Sequence, residues 1–234
     1  MKKLFIAVMV ALMVATPAKA AEKKALIDID PDEFTGDTQV MLKGAGDDHM
    51  ALAWWIPNEF WGSAWARDPR INEADKQELL DVIAGTSILA VAQADISMFG
   101  AFRFYTQEEI EKNMVLRFTD ADGRSHRLSP MGTIDPDLKN ILGMLRPILV
   151  NAMGNLGSNM HFYILNDKTA FTSRLLDPYQ EGKIHIQLTR KNEALIEATL
   201  DLPVNALFVP RKCPNGKPAH ISWNYCPWSG EKLE

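Results

Sequence analysis

The chain has 234 residues, 24% charged and 47% hydrophobic, with a formal net charge of -5. That length buries a full core without metal or a dense disulfide framework, and the composition is that of a globule rather than a disordered, collagenous or coiled-coil chain. An acidic surface with no basic cluster repels anionic lipid and excludes nucleic acid as a partner.

Lys2 and Lys3, the apolar run Leu4 to Ala15 and then Thr16-Pro17-Ala18-Lys19-Ala20 read as a signal peptide over residues 1–20. It has a basic start, an apolar segment too short to span a bilayer and an Ala-x-Ala cleavage site. Ala21 is the expected first mature residue, and no cysteine follows the cut to carry a lipid. The expectation is an exported protein, periplasmic or secreted, not integral to the membrane, whose formal charge falls from -5 to -8 on loss of Lys2, Lys3 and Lys19. Disorder is expected only at Glu22 to Lys24 and in the last few residues. Leu233-Glu234 has the look of a vector remnant and carries no weight.

Along the mature chain, Ala51 to Ile56 reads as a strand entered from the polar segment Gly44 to His49. Trp54 and Trp55 point to opposite sides if it is one. A helical turn after Pro57 brings Trp61 and Trp65 to one face. From Glu73 to about Met98 the apolar positions Leu79, Leu80, Ile83, Ala84, Ile88, Val91 and Ala92 recur at helical spacing, which predicts a long helix with Ser87 as its polar interruption, stopped by Gly100. Ala101 to Tyr105 reads as a strand and Gln107 to Lys112 as a charged turn or short helix. Met114 to Thr119 pairs with Arg124 to Ser129 across a turn ending in Gly123. Asp135 and Pro136 open a helix whose buried side runs from Leu138 to Ala152, with Pro147 inside it and Gly154 and Gly157 at its end. Met160 to Leu165, Ile184 to Leu188, Leu195 to Leu200 and Val204 to Val209 read as further strands. The fold class expected is α+β: a mainly antiparallel sheet packed against two or more helices, with domain limits of 21–210 and a separate tail at 211–234.

Cys213 and Cys226 are the only cysteines. In an oxidising compartment they are expected to form a disulfide, closing the loop Pro214 to Tyr225 for about 3 kcal/mol of stabilisation. The segments Cys213-Pro214-Asn215-Gly216-Lys217 and Tyr225-Cys226-Pro227-Trp228-Ser229-Gly230 resemble the two knuckles of a zinc ribbon, each lacking its second cysteine, with Ser229 standing in one of the vacated places. The resemblance implies two cysteines near enough for a disulfide and an incomplete tetrahedral site, so no metal and no cofactor is expected.

The five histidines, His49, His126, His161, His185 and His220, show no metal-helix spacing. His126 and His185 read as solvent-side strand residues, His161 as a hydrogen-bonded core residue, and Asp47-Asp48-His49 as a polar loop that can also be drawn as an acid–base cluster. No nucleophile elbow or phosphate loop is present. The remaining candidate is an aromatic floor rimmed by charge, formed by Trp54, Trp61, Trp65, Glu59, Arg67 and Arg70, where an envelope protein or a small ligand would bind without catalysis. Two other classes stay open: a hydrolase built from scattered Asp, Glu and His residues, and a structural accessory of the cell envelope.

Overall fold

A computed structural model describes residues 21–44, 46–169, 172–190 and 195–233. The expected leader lies outside the described residues. In chain order the elements are α1 (Pro31–Thr38), β1 (Gln39–Met41), β2 (His49–Ile56), α2 (Asn58–Arg67), α3 (Glu73–Ile83), β3 (Thr86–Ile96), β4 (Phe102–Phe104) and α4 (Gln107–Asn113). Then follow β5 (Val115–Asp120), β6 (Ser125–Leu128), α5 (Pro136–Met153), α6 (Asn155–Ser158), β7 (His161–Asn166), β8 (Gly182–Thr189) and β9 (Leu195–Leu202), and in the tail β10 (Arg211–Lys212) and β11 (Pro218–Ala219). The fold is α+β with antiparallel sheets packed against helices.

One sheet runs β1-β2-β3-β4, with β7 sharing the second edge of β3, and a four-stranded sheet runs β6-β5-β8-β9. Two isolated bridges stitch them together. Lys43 and Glu197 exchange backbone hydrogen bonds of 3.0 Å in both directions, and Pro130 bridges Leu165 while the Met131 amide donates to the Ile164 carbonyl at 2.7 Å. The strands therefore follow one another around a flattened ring, β7-β3-β2-β1-β9-β8-β5-β6. Alternation sends Ala51, Ala53, Trp55, Leu89, Val91 and Tyr163 inward from one wall to meet Leu116, Phe118, Ile184, Ile186 and Leu200 from the other.

The opposite face of the first sheet is also covered. Leu52, Trp54, Ile56, Ile88, Ala90, Ala92 and Ile164 pack under Trp61 and Trp65 of α2, Ile83 of α3 and the Leu138, Ile141, Leu142, Leu145 and Leu149 stripe of α5. Here the long helix expected from Glu73 to Met98 is corrected. α3 stops at Ile83, Gly85 turns the chain at φ +72°, and Thr86–Ile96 is the central strand. A strand apolar on both faces has no period of two, so its continuous run is indistinguishable by spacing from a buried helix.

Three smaller corrections follow. Glu22 to Lys24 is ordered by backbone bonds, Lys24 amide to Leu207 carbonyl and Val209 amide to Glu22 carbonyl, at 2.9 and 2.8 Å. Asn205–Leu207 is a 3-10 turn rather than part of a strand. Leu233 is buried against Cys213, Ala219 and Cys226, so it belongs to the tail's own small core. The expected hairpin and the capped helix are present as read: β5 and β6 pair across Asp120–Gly123, and the Asp135 carboxylate accepts the Asp137 amide at 2.8 Å.

Gly157 sets the approach of α6 to α5, because a Cβ there would lie 2.1 Å from the Leu149 carbonyl oxygen. Gly157→Ala is expected to lower stability by about 1–3 kcal/mol in chemical denaturation; an unchanged midpoint and slope would contradict this packing.

Candidate functional site

The structure distributes the six expected floor and rim residues among different tasks. Trp54, Trp61 and Trp65 are buried in the core between sheet and helices, and the Trp54 indole donates to Thr38 Oγ1 at 3.1 Å. Trp61 and Trp65 do share a face, with ring centroids 5.7 Å apart, and Trp65 edges a depression with Leu26, Gly62 and Leu80. Trp55 faces the ring interior, opposite to Trp54. Glu59 is buried and receives two bonds from Arg174, at 2.7 and 2.6 Å. Arg67 donates to the Ser63 hydroxyl and to the Ile29 carbonyl, while Arg70 reaches out to Asp68 on the surface. Trp61, Trp65 and Glu59 are thus packing and pairing groups of α2, and Arg70 stands apart from them.

The histidines also find definite partners. His49 is buried with Nε2 3.1 Å from Gln93 Nε2, and burial pushes its pKa down, so the ring is held neutral. Beside it Arg190 bonds both carboxylate oxygens of Asp48 and Oδ1 of Asp95, and Arg103 bonds Asp95 from β4. These groups seal one end of the ring as a polar plug. His161 lies 3.1 Å from the Tyr105 carbonyl oxygen. No group of three or more His, Cys, Asp or Glu residues among the described residues can hold a metal ion.

Among the described residues, no helix covers the outer face of the four-stranded sheet. Alternation places Arg117, Thr119, His185, Gln187, Glu197 and Thr199 there around a shallow trough. Cross-strand bonds order these side chains: His185 lies 3.1 and 3.3 Å from the Thr119 and Thr199 hydroxyls, and Gln187 donates to Glu197 at 3.1 Å. At the Thr119 end the trough opens into a cleft of about 580 Å³ between the sheet and the tail. Asp120, Glu181, Lys183 and Asp201 come from the strand ends, and His220, Ser222 and Trp223 from the tail.

The tail is held firmly over this cleft. Ile221 is buried in the main core, its amide donates to Asn205 Oδ1 at 2.9 Å, and Arg211 donates to its carbonyl at 3.0 Å. The Cys213–Cys226 disulfide, with Cα atoms 5.6 Å apart, joins two tight turns. Gly216 (φ +79°) and Gly230 (φ +72°) close them, each amide donating at 2.8 Å to the carbonyl of the preceding cysteine. The tail's small core takes only Cys213, Ala219, Cys226 and Leu233. Its large aromatics stand outside: Trp223 is 37% exposed, Trp228 49% and Tyr225 61%. Trp223 packs against His220 at a tilt and against Trp228 edge to face, with centroids 6.1 and 6.0 Å apart, and Lys217 caps the Trp228 ring.

Electrostatics define what the cleft can do. The Ser222 amide donates to His220 Nδ1, so the neutral ring carries its proton on Nε2. His126 and then Arg124 hold the Asp120 carboxyl down at about 2, so it is ionised at any pH of interest. Its favourable contribution is present above the ordinary carboxylate range and is lost as pH falls through 2. Lys183 and Asp201 pair at 2.9 Å. The site presents fixed acceptors, one ammonium and an indole face.

Comparison with protein-family models, curated proteins and solved structures finds no match for the chain.

The cleft residues carry no local motif, because Asp120, Glu181, Asp201 and Trp223 meet only through strand pairing and the tail. One signal was available in the sequence: Trp223 inside the small disulfide loop and Trp228 just beyond Cys226 stand among Pro, Asn, Ser and Gly, in a tail too short to bury them. For the buried group, Trp61→Ala with Trp65→Ala is expected to lose about 3–5 kcal/mol per residue and with it the cooperative melt. Glu59→Gln, which leaves the half-buried Arg174 uncompensated, is expected to lower stability by about 2–4 kcal/mol. Wild-type melting in both would mean that these side chains face a ligand instead.

Proposed function

We propose that the protein is exported and, in the periplasm or outside the cell, binds a small polar ligand without catalysis in the cleft between the tail and the four-stranded sheet. The observation that carries this reading is Trp223, whose partly exposed ring walls a cavity rimmed by Asp120, Glu181, Lys183, Asp201 and His220. An indole face suits the CH surface of a sugar ring, carboxylates accept from hydroxyl and ammonium groups, and lysine donates to hydroxyls. With three carboxylates against one ammonium, the cleft favours a polyhydroxylated ligand that is neutral or carries an amine.

Binding is preferred to hydrolysis because a general acid needs a carboxyl that keeps its proton near the substrate. Asp120 is held ionised by His126 and Arg124. Of the carboxyls that burial pushes up, Asp167 accepts the Leu176 amide and Asp37, which feels the charge of His220 but does not line the cleft, accepts the Ala206 amide. A structural role in the envelope is the second reading, favoured by the burial of Trp54, Trp61 and Trp65. We read the tail as a ribbon in which the disulfide takes the place of a metal corner.

The test uses protein recovered from the periplasm, with an intact mass expected to begin at Ala21. Titration with glucosamine oligosaccharides, followed by calorimetry and tryptophan emission, is expected to give saturable binding, weaker for glucose oligosaccharides of the same length. Trp223→Ala is expected to weaken it by more than about 1 kcal/mol with wild-type melting. Equal binding by the variant, or none by the wild type, would reject the saccharide cleft.

A further inference from the structure

The β3–β4 hairpin carries an apolar tip that the fold leaves uncovered. Met98 is 95% exposed and Phe99 94%, whereas the next most exposed large apolar groups among the described residues, Tyr225 and Ile148, are each 61% exposed. The turn is not loose. The Ser97 carbonyl accepts the Gly100 amide at 2.9 Å, its hydroxyl accepts the Ala101 amide at 3.0 Å, and its own amide donates to the Ala101 carbonyl at 2.8 Å. Gly100 takes φ +76°, which completes the turn without strain. Behind the tip, the pairings Ile96↔Phe102 and Ala94↔Phe104 put apolar side chains on one face, with the two phenylalanine rings stacked at 5.9 Å. The other face at the base carries the Asp95–Arg103 ion pair.

We infer that this hairpin is a peripheral lipid anchor, which rests its tip in the interface of a bilayer whose headgroups carry no net charge. Three observations point to lipid rather than to a protein socket. The tip is a convex projection, not a groove or a flat face. From Ser97 to Phe102 no residue is charged, and the tip extends about 10 Å beyond the Asp95–Arg103 pair at the rise of a strand. That reach matches the depth to which interfacial apolar groups sink, about 5–10 Å below the headgroup boundary. Arg103 is paired to Asp95 and Glu109 and the chain is acidic overall, so anionic headgroups add no attraction. No helix among the described residues is long and apolar enough to cross a membrane, so the contact is with its surface.

The anchor also gives an orientation. Arg190, which follows β8, bonds Asp48 and Asp95 at the hairpin base, whereas Gly182, at the other end of β8, lines the tail cleft. β8 has eight residues, so the two sites lie about 25 Å apart at opposite ends of the ring. A molecule standing on Met98 and Phe99 holds its cleft toward the aqueous phase.

The experiment is flotation of the purified protein with phosphatidylcholine vesicles, with and without added phosphatidylglycerol. The wild type is expected to float with pure phosphatidylcholine, with no gain from the anionic lipid. Met98→Ser with Phe99→Ser is expected to reduce the partition coefficient at least tenfold while melting as the wild type does. A fluorophore on Phe99→Cys is expected to shift to the blue with vesicles, and one on Glu181→Cys to stay unchanged. Flotation unaffected by the double change, no flotation of the wild type, or a self-association without lipid that the double change abolishes would each overturn the proposal, the last by assigning the tip to a second copy. None of these readouts requires a ligand in the saccharide cleft, where the Glu181→Cys label serves only as the probe far from the bilayer.

Discussion

Burial of β3 on both faces is the constraint from which the rest of the molecule follows. A central strand covered on one side by the ring interior and on the other by helices must satisfy every backbone group within the sheet, and β2 on one edge and β7 and β4 on the other do so. It must also leave space for both layers. Ala90 and Ala92 share one side with the leucines of α5, and Ala51 and Ala53 of the neighbouring strand share the other with Leu116, Phe118 and Ile186 of the second sheet. Small residues in the sheet facing large ones from its neighbours reach the density of an interior with side chains that could not all be large.

Buried polar groups then hold the connections. Asp167 is buried, which raises its pKa, and it accepts from the Ser87 hydroxyl and the Leu176 amide, so the segment after β7 is tied back to the central strand. The Glu59–Arg174 pair ties the same segment to α2. At the opposite end Arg190 joins the exit of β8 to Asp48 and Asp95. These contacts are expensive to desolvate and unforgiving of loss of one partner. What they secure is geometry. With the first sheet enclosed and both ends of the ring fixed, chemistry is left to the outer face of the second sheet, the tail that leans over its end, and the hairpin that escapes the helix layer.

The elements legible in the sequence were those with a local cause. Asp135-Pro136 opens α5 through its cap, Asp120 to Gly123 turns β5 into β6, and the alternation Ile184, Ile186, Leu188 marks a strand with one wet face. Elements whose cause is tertiary were not. β3 was hidden because enclosure on both faces erases alternation, leaving helical spacing in Ile83, Ser87, Ile88 and Val91. The tryptophans of α2 were conspicuous by number, but the sequence has no record of the α5 stripe and the sheet that enclose them. Trp223 and Trp228 were less conspicuous and better placed. Their neighbours are turn formers, Trp223 within the disulfide loop and Trp228 just past Cys226, and a tail of that size encloses only Cys213, Ala219, Cys226 and Leu233. Met98 and Phe99 were absorbed into the supposed helix and so lost their meaning as a tip.

Hydrogen exchange resolved residue by residue tests the enclosure of β3 most directly. The account predicts that the amides of Ile88 to Ala92, with those of Ala53 to Ile56 beside them, exchange only through global unfolding and are the slowest in the chain, while α3 opens earlier and the Ser97 to Ala101 turn earlier still. Rapid exchange across Thr86 to Ala94, or protection continuous with α3 in a single helix through Met98, would contradict it.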